Sequence, residues 1–156
     1  MIANIGNFHA LAFRLSDDSI EGVFEHHTGE IDAEKLRQLL LRLADGSLKN
    51  SEVFEDMGHG ALVYSSDPLL LGVGEYDVVV TGPRRSMLPV LPNRLGATAA
   101  GSRLRPYFAV PFGDMMLAGC FGLLAATADL LPSQGEVIRA SLDPSLGTAI
   151  APWDVE

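Results

Sequence analysis

Tyr76-Asp77-Val78-Val79-Val80-Thr81, followed at once by Gly82-Pro83, is the stretch on which the fold turns. Three consecutive valines read as a strand buried on both faces, which is the habit of a parallel sheet. A strand there needs parallel neighbours and helices to cover it. Downstream, Pro83 can open a short helix through Leu88, stopped by Pro89 and Pro92. Residues 93–102 read as a Gly/Ala/Thr-rich loop, and Tyr107 to Val110 as a last core strand. Pro111 to Gly113 then leads into a helix from Asp114 to Leu131.

Upstream, Ile2 to Ile5 is a short apolar strand that stops at Gly6. His9 to Leu15 alternates, with His9, Leu11, Phe13 and Leu15 on one face. Ser16-Asp17-Asp18-Ser19 is a turn, and Ile20 to Phe24 is the third strand of a β-meander that Thr28-Gly29 breaks. Asp32 caps a helix through Ala44, with Leu36, Leu39, Leu40 and Leu43 on one stripe, and Asp45-Gly46 ends it. A short helix over residues 50–56 and a short strand from Ala61 to Tyr64 precede the valine strand. The order β-β-β-α, an irregular insert, then β-α-β-α predicts an α/β layered fold. Its sheet is mixed: an antiparallel meander, then parallel strands with flanking helices.

Length and composition narrow the class. A chain of 156 residues with 47% hydrophobic content predicts one main domain with a full core, residues 1–131, followed by a C-terminal tail, 132–156, that packs back through Trp153. The net charge of −9 argues against a nucleic-acid binder. The apolar run from Met115 to Ala128 is shorter than the roughly 18 residues of a membrane span and is expected as a buried core helix, with Met115-Met116 in the core. No membrane association is expected. The one cysteine, Cys120, excludes an intramolecular disulfide and is expected as an inert buried thiol. With no cationic leader, this predicts a cytoplasmic location.

Two uneven distributions point to chemistry. All four histidines, His9, His26, His27 and His59, fall in the first 59 residues, each in a cluster with polar residues or glycine. Residues 78–113 contain five arginines and no Asp, Glu or Lys, so the remainder sums to −14 against the overall −9. Guanidinium groups in an acid-free segment either pair with the acidic remainder of the fold or hold an anionic ligand. Arg84 and Arg85 are the favoured ligand contacts, because ligands of open α/β sheets gather beyond the carboxyl ends of strands.

For the histidines several readings stand side by side. His26, His27 and His59, with Glu25 and Asp56, are candidate metal ligands. Because neighbours on a strand point to opposite faces, His26 and His27 share one ion only if the chain has already turned at Thr28-Gly29. Otherwise one of them bonds backbone in the core and the other caps a loop, or one touches phosphate. His9 is either a half-buried, satisfied histidine or a ligand contact. Gly58-His59-Gly60 is either an anion-binding nest or an ordinary turn.

The element order resembles one half of the actin-like ATPase superfamily of sugar kinases, acetate kinase and heat-shock chaperones, a ribonuclease-H-like fold. In that resemblance Asn4-Ile5-Gly6-Asn7-Phe8-His9 occupies the place of the β-turn-β phosphate loop. Val80-Thr81-Gly82-Pro83-Arg84 is similar to the strand end that meets the adenosine, and Val110-Pro111-Phe112-Gly113 with Ala118-Gly119 to the entry of the last helix. The resemblance covers residues 1–131. It implies phosphate or nucleotide contacts from Gly6, Asn7, His9, His26, Thr81, Gly82 and Arg84, with ATP and magnesium as cofactors of the whole. Asn4 stands where the loop's acid is expected, and Pro83 where a second glycine is.

More narrowly, Gly6-Asn7-Phe8-His9, Glu25-His26-His27-Thr28-Gly29 and Gly58-His59-Gly60 resemble an uncharacterised prokaryotic family labelled as pyruvate formate-lyase activating enzyme. That resemblance makes the chain look like the C-terminal half of a longer protein. The partner is then the N-terminal half, or a second copy docked through the apolar 61–74 segment and Leu69-Leu70-Leu71. The labelled activity is a radical reaction on an iron–sulfur cluster held by several thiolates. A chain with one cysteine does not carry it. A non-catalytic interaction module is the competing class: an enzyme predicts that Asn7, His26 and Arg84 converge on one cleft, a module that they scatter.

Overall fold

The computed structural model describes residues 1–17, 19–88, 104–109 and 115–142. Six strands form one mixed sheet in the order β4-β3-β2-β1-β5-β6. They are β1 (Ile2–Ile5), β2 (His9–Ser16), β3 (Ser19–His27), β4 (Gly58–Val63), β5 (Val78–Thr81) and β6 (Pro106–Phe108). The β1-β2, β2-β3 and β3-β4 pairs are antiparallel, while β1-β5 and β5-β6 are parallel. The valine strand therefore lies between two parallel neighbours, as its sequence predicts.

The core lies on one face of this sheet. Ala3 and Ile5 of β1, Ala10 and Ala12 of β2, Phe24 of β3 and Val78 and Val80 of β5 are buried there. Helix α1 (Ala33–Ala44) covers them with Leu36, Leu39, Leu40 and Leu43. Asp32 starts α1 by accepting a hydrogen bond from the Lys35 N–H at 2.8 Å, a cap worth about 1 kcal/mol. Arg14 sits on the same core face, 3% exposed, yet its charge is placed. Its guanidinium donates to the Ala44 carbonyl at the C-terminal end of α1 (3.0 Å) and to Glu21 (3.0 Å), and reaches the Asp67 carbonyl. It thus joins the meander, the negative end of the helix and the 65–67 loop.

Two strands run longer than their sequence suggests. Strand β3 continues three residues past Phe24, because β2 offers it partners as far as His9: Leu11 faces Glu25, Ala10 faces His26 and His9 faces His27. Strand β4 begins at Gly58, behind the short helix α2 (Asn50–Phe54), and its ladder with β3 is irregular. Glu25 pairs with Gly60 and His26 with Gly58, so His59 is the extra residue of a β-bulge. In a regular ladder His59 would face His26 and point into the core. The bulge turns it to the other side.

The glycines around His59 are explained by this geometry. A Cβ on Gly58 would lie 2.6 Å from Val53 Cγ1 and 2.9 Å from His26 Cδ2. Gly60 has φ +120°, and a Cβ there would lie 2.3 Å from Asn50 Oδ1. At the far end of the sheet, Asp77 fixes β6 to β5. Its carboxylate, 2% exposed, receives two bonds from the Arg105 side chain, one from the Arg105 N–H (all 2.9 Å) and one from the Gly72 N–H at 2.7 Å. Arg105 is thus one arginine of the acid-free segment that pairs within the fold.

The chain divides into two compact units, Met1–Ala109 and Val110–Glu156, where the sequence predicts a boundary at residue 131. The second unit holds α3 (Ala118–Leu130) and α4 (Gly135–Leu142), joined as a helical pair in which Arg139 meets Asp129 at 2.5 Å. Three expectations are corrected here. Helix α4 forms where no periodicity is evident in the sequence, its start set against α3: a Cβ on Gly135 would lie 2.2 Å from the Ala128 carbonyl oxygen. Cys120 is exposed, and Met116 is 72% exposed rather than core. Of α3 only Ala128 is buried among the described residues, because the helix is apolar all round and α4 covers one stripe of it. Among the described residues no helix is long and apolar enough to cross a membrane. The 93–102 loop, Arg94, Arg103, Val110 and Trp153 lie outside the described residues.

Two outcomes are expected. Gly58→Ala should lower the urea-unfolding free energy by roughly 1–3 kcal/mol through overpacking against Val53 and His26. Gly29→Ala, where a Cβ meets nothing within 4 Å, should change it by less than roughly 1 kcal/mol. The second outcome concerns pH. Burial opposes the charge on Asp77, but hydrogen bonds from Arg105 and the Gly72 and Arg105 N–H groups outweigh it and hold its pKa below 3.8. A depressed folded pKa means that the contribution is complete above the unfolded value and is lost as pH falls through the folded one. Asp77→Asn should therefore be less stable than wild type by roughly 1–3 kcal/mol at neutral pH. Denaturation at stepwise lower pH should show the gap closing only below pH 3.8.

Candidate functional site

Parallel β1 and β5 end side by side, with Asn4 beside Thr81. Beyond them the chain makes two loops that touch. The β1-β2 turn closes with the Gly6 N–H donating to the His9 carbonyl at 2.9 Å. The loop after β5 donates the Arg84 N–H to the Ile5 carbonyl at 3.0 Å. Gly82, at φ +101°, makes the approach possible: a Cβ there would lie 2.4 Å from the Ile5 carbonyl oxygen and 2.8 Å from its nitrogen. Gly6, Asn7, Gly82 and Arg84 are thus gathered at one end of the sheet.

The two neighbouring arginines differ. Arg85 is half-buried, lies 5.6 Å from the Phe108 ring centroid and donates to the Gly82 carbonyl at 3.2 Å. Arg84 is exposed, on a segment free of acidic residues. Thr81 is half-buried at the end of β5.

The same end of the sheet carries the histidines, in a grouping that differs from the expected His26, His27 and His59. His9, His27 and His59 come together: their ligand atoms lie within 4.8 Å of one another. The ring centroids are 5.0 Å apart for His9-His27, 5.0 Å for His9-His59 and 4.6 Å for His27-His59. His26 is excluded because β3 runs straight through His27, so the adjacent side chains take opposite faces. His26 is fully buried. Its Nε2 is 3.2 Å from Asp56 Oδ2 and its Nδ1 is 3.2 Å from the His27 carbonyl. Asp56 is held by Lys35 as well, and the hydrogen bond from Lys35, with that from His26, keeps its carboxyl below the usual range although burial opposes the charge. With no exposed atom, His26 cannot touch a ligand. It ties β3 to the loop before β4.

Asn7, Phe8, His9, His27, Gly29, Glu30 and Met57 surround an open recess of about 510 Å³. Phe8 is 78% exposed and stands at its edge, and the Phe8 carbonyl accepts from the Thr28 N–H at 2.7 Å, which fastens the turn to the end of β3. A smaller recess of about 300 Å³ lies beyond His59, with Glu25, Asn50 and Gly60 among its walls. The apolar 69–71 run is elsewhere: Leu69 and Leu71 are half-buried beside the end of α1, and Leu70 is 78% exposed.

No curated protein and no solved structure matches the chain. One family model does match, over residues 1–87, more than half of the chain and all of the segment that carries the four histidines and Arg84. The chain therefore belongs to the family described as "Putative pyruvate format-lyase activating enzyme (DUF1786)".

Proposed function

We propose that this chain is a phosphate-binding half of a ribonuclease-H-like, actin-like ATPase or kinase fold, taking the phosphates of a nucleotide at the carboxyl ends of β1 and β5. The observation that carries the reading is the contact between the two loops, Arg84 N–H to Ile5 carbonyl at 3.0 Å across Gly82. The sheet order supports it: a three-strand antiparallel meander whose first strand pairs in parallel with β5, and β5 with β6. Ligands of such sheets sit beyond the carboxyl ends of the parallel strands.

Gly6 and Asn7 supply a bent backbone, and Arg84 an exposed cation that can bind phosphate oxygens bidentately. His9 borders the turn and can add a third contact. Magnesium fits this half less well. Neither 4–9 nor 81–85 contains an Asp or Glu, and hard cations are held by carboxylates together with phosphate. A facing half, in the same polypeptide or in a second copy, supplies that acid in this reading. Phosphoryl transfer depends on metal and oriented donors held around the phosphate, so the chain by itself binds and does not hydrolyse at a useful rate. The family label names a different chemistry, and one cysteine, on α3, does not meet the several thiolates a cluster requires.

Titrating inorganic phosphate and ADP into the labelled protein should shift the NMR amide signals of Gly6, Asn7 and Gly82. Arg84→Ala should weaken binding about tenfold, as expected for a lost charge-assisted hydrogen bond. Shifts confined to residues 116–142, or none at millimolar phosphate, would sink the proposal.

A further inference from the structure

We infer that His9, His27 and His59 hold one divalent transition-metal ion of the zinc class, with its remaining position open. The inference stands on the histidine geometry and shares only His9 with the phosphate reading.

Three strands each contribute one imidazole to a single point. His9 opens β2, His27 closes β3 and faces it directly in the ladder, and His59 arrives from β4. A cross-strand pair of this kind places two side chains together by register alone. The third ligand needs a local deviation, and the bulge between β3 and β4 supplies it. Gly58 admits the close approach of Val53 and His26, and Gly60 takes φ +120°. The two glycines flanking His59 thus serve to turn one imidazole out of the core and toward the other two.

The rings are not there for packing. His9 and His59 are exposed and His27 is half-buried. Their contacts with one another are tilted or edge-on, and among the described residues no hydrogen bond occupies their nitrogens. His26, two strand positions from Phe24 on the core face, shows the contrast, since both of its ring nitrogens are engaged. The ligand atoms lie within 4.8 Å of one another, against the roughly 3.3 Å spacing that tetrahedral zinc at about 2.05 Å from each nitrogen requires. Small χ rotations of exposed His9 and His59 close the difference.

The donor set selects the ion. Three imidazoles with no thiolate suit zinc and its transition-metal neighbours and do not suit calcium or magnesium, which take oxygen. Three protein ligands leave one tetrahedral position for water or another oxygen, the arrangement of an open rather than a closed site. Two of the three ligands, His9 and His27, border a recess of about 510 Å³ together with Asn7 and Glu30.

The test uses the full chain without a polyhistidine tag, stripped of metal. Cobalt(II) titration should produce the intense visible bands of a tetrahedral nitrogen site, saturating at one ion per chain. Zinc should displace the cobalt, and competition with a chromophoric chelator should give its affinity. His9→Ala and His59→Ala, both at exposed positions, should keep the circular-dichroism spectrum and melting transition of the wild type. Each should lose zinc affinity by more than about a hundredfold, because altering even an outer partner of a ligand costs roughly 10–100-fold. Arg84→Ala should leave zinc binding unchanged, which separates this site from the phosphate reading. Wild-type zinc affinity in folded His9→Ala and His59→Ala, or no cobalt bands in the wild-type chain, would overturn the assignment.

Discussion

The register between β2 and β3 is the constraint on which the rest of the molecule depends. Side chains alternate along a strand with a period of two, so a slip of one residue would exchange the two faces of the sheet. In the observed register Ala10, Ala12 and Arg14 share the core face with Phe24 and His26, under the leucine stripe of α1. The same register obliges His9 and His27 to share the other face. The hydrophobic demand of α1 and the pairing of two imidazoles are therefore one decision. Arg14 reinforces it, because its guanidinium reaches the Ala44 carbonyl only from the core side. A slipped β2 would leave that charge pointing away from its partners and place Phe13 or Leu15 beneath the helix end.

A second constraint acts at the end of β5. The chain must leave a parallel strand and turn away while its neighbour β1 does the same, and the two turns compete for one volume. Gly82 resolves this by having no side chain, so that its backbone rests against that of Ile5. Loop backbone is thereby clustered beyond the carboxyl ends of two parallel strands, with Arg84 exposed on it. The competition that makes the glycine necessary also brings the two loops into contact.

Much of the fold was legible from residue pattern. Val78-Val79-Val80 marked a strand with parallel neighbours, the leucine spacing of 36–43 marked the covering helix, and Asp32 its start. Strand ends were less legible, because they depend on the partner: β3 runs to His27 because His9 is there to pair with it, and no local feature of Glu25-His26-His27 announces this. The apolar run marks helix α3 but not its exposure. An all-apolar helix says that something should cover it and not what does. The bulge was the least legible feature and the most consequential. Gly58-His59-Gly60 signalled an unusual backbone, but two glycines around a histidine do not say which face the ring will take. That depends on Val53 and His26, which lie at 2.6 and 2.9 Å from a Cβ at Gly58. Without the bulge, alternation assigns His59 to the face of His26, and the trio cannot be read.

The phosphate reading and the metal assignment meet at the β1-β2 turn. Gly6 and His9 are its closing pair, joined by a 2.9 Å hydrogen bond, and Asn7 and Phe8 between them border the recess beside His27. An anion held on the Gly6-Asn7 backbone and a cation held through His9 would be separated by one turn of chain. Opposite charges so placed attract. Thermodynamic reciprocity then requires that any tightening of phosphate by the metal be matched by an equal tightening of the metal by phosphate. The turn has little freedom to hold them apart, since its Phe8 carbonyl is fixed to the Thr28 N–H at 2.7 Å and its first residue leans on the β5 loop through Ile5. A rigid turn shared by two charged occupants would couple them through position alone, without any movement of the sheet beneath.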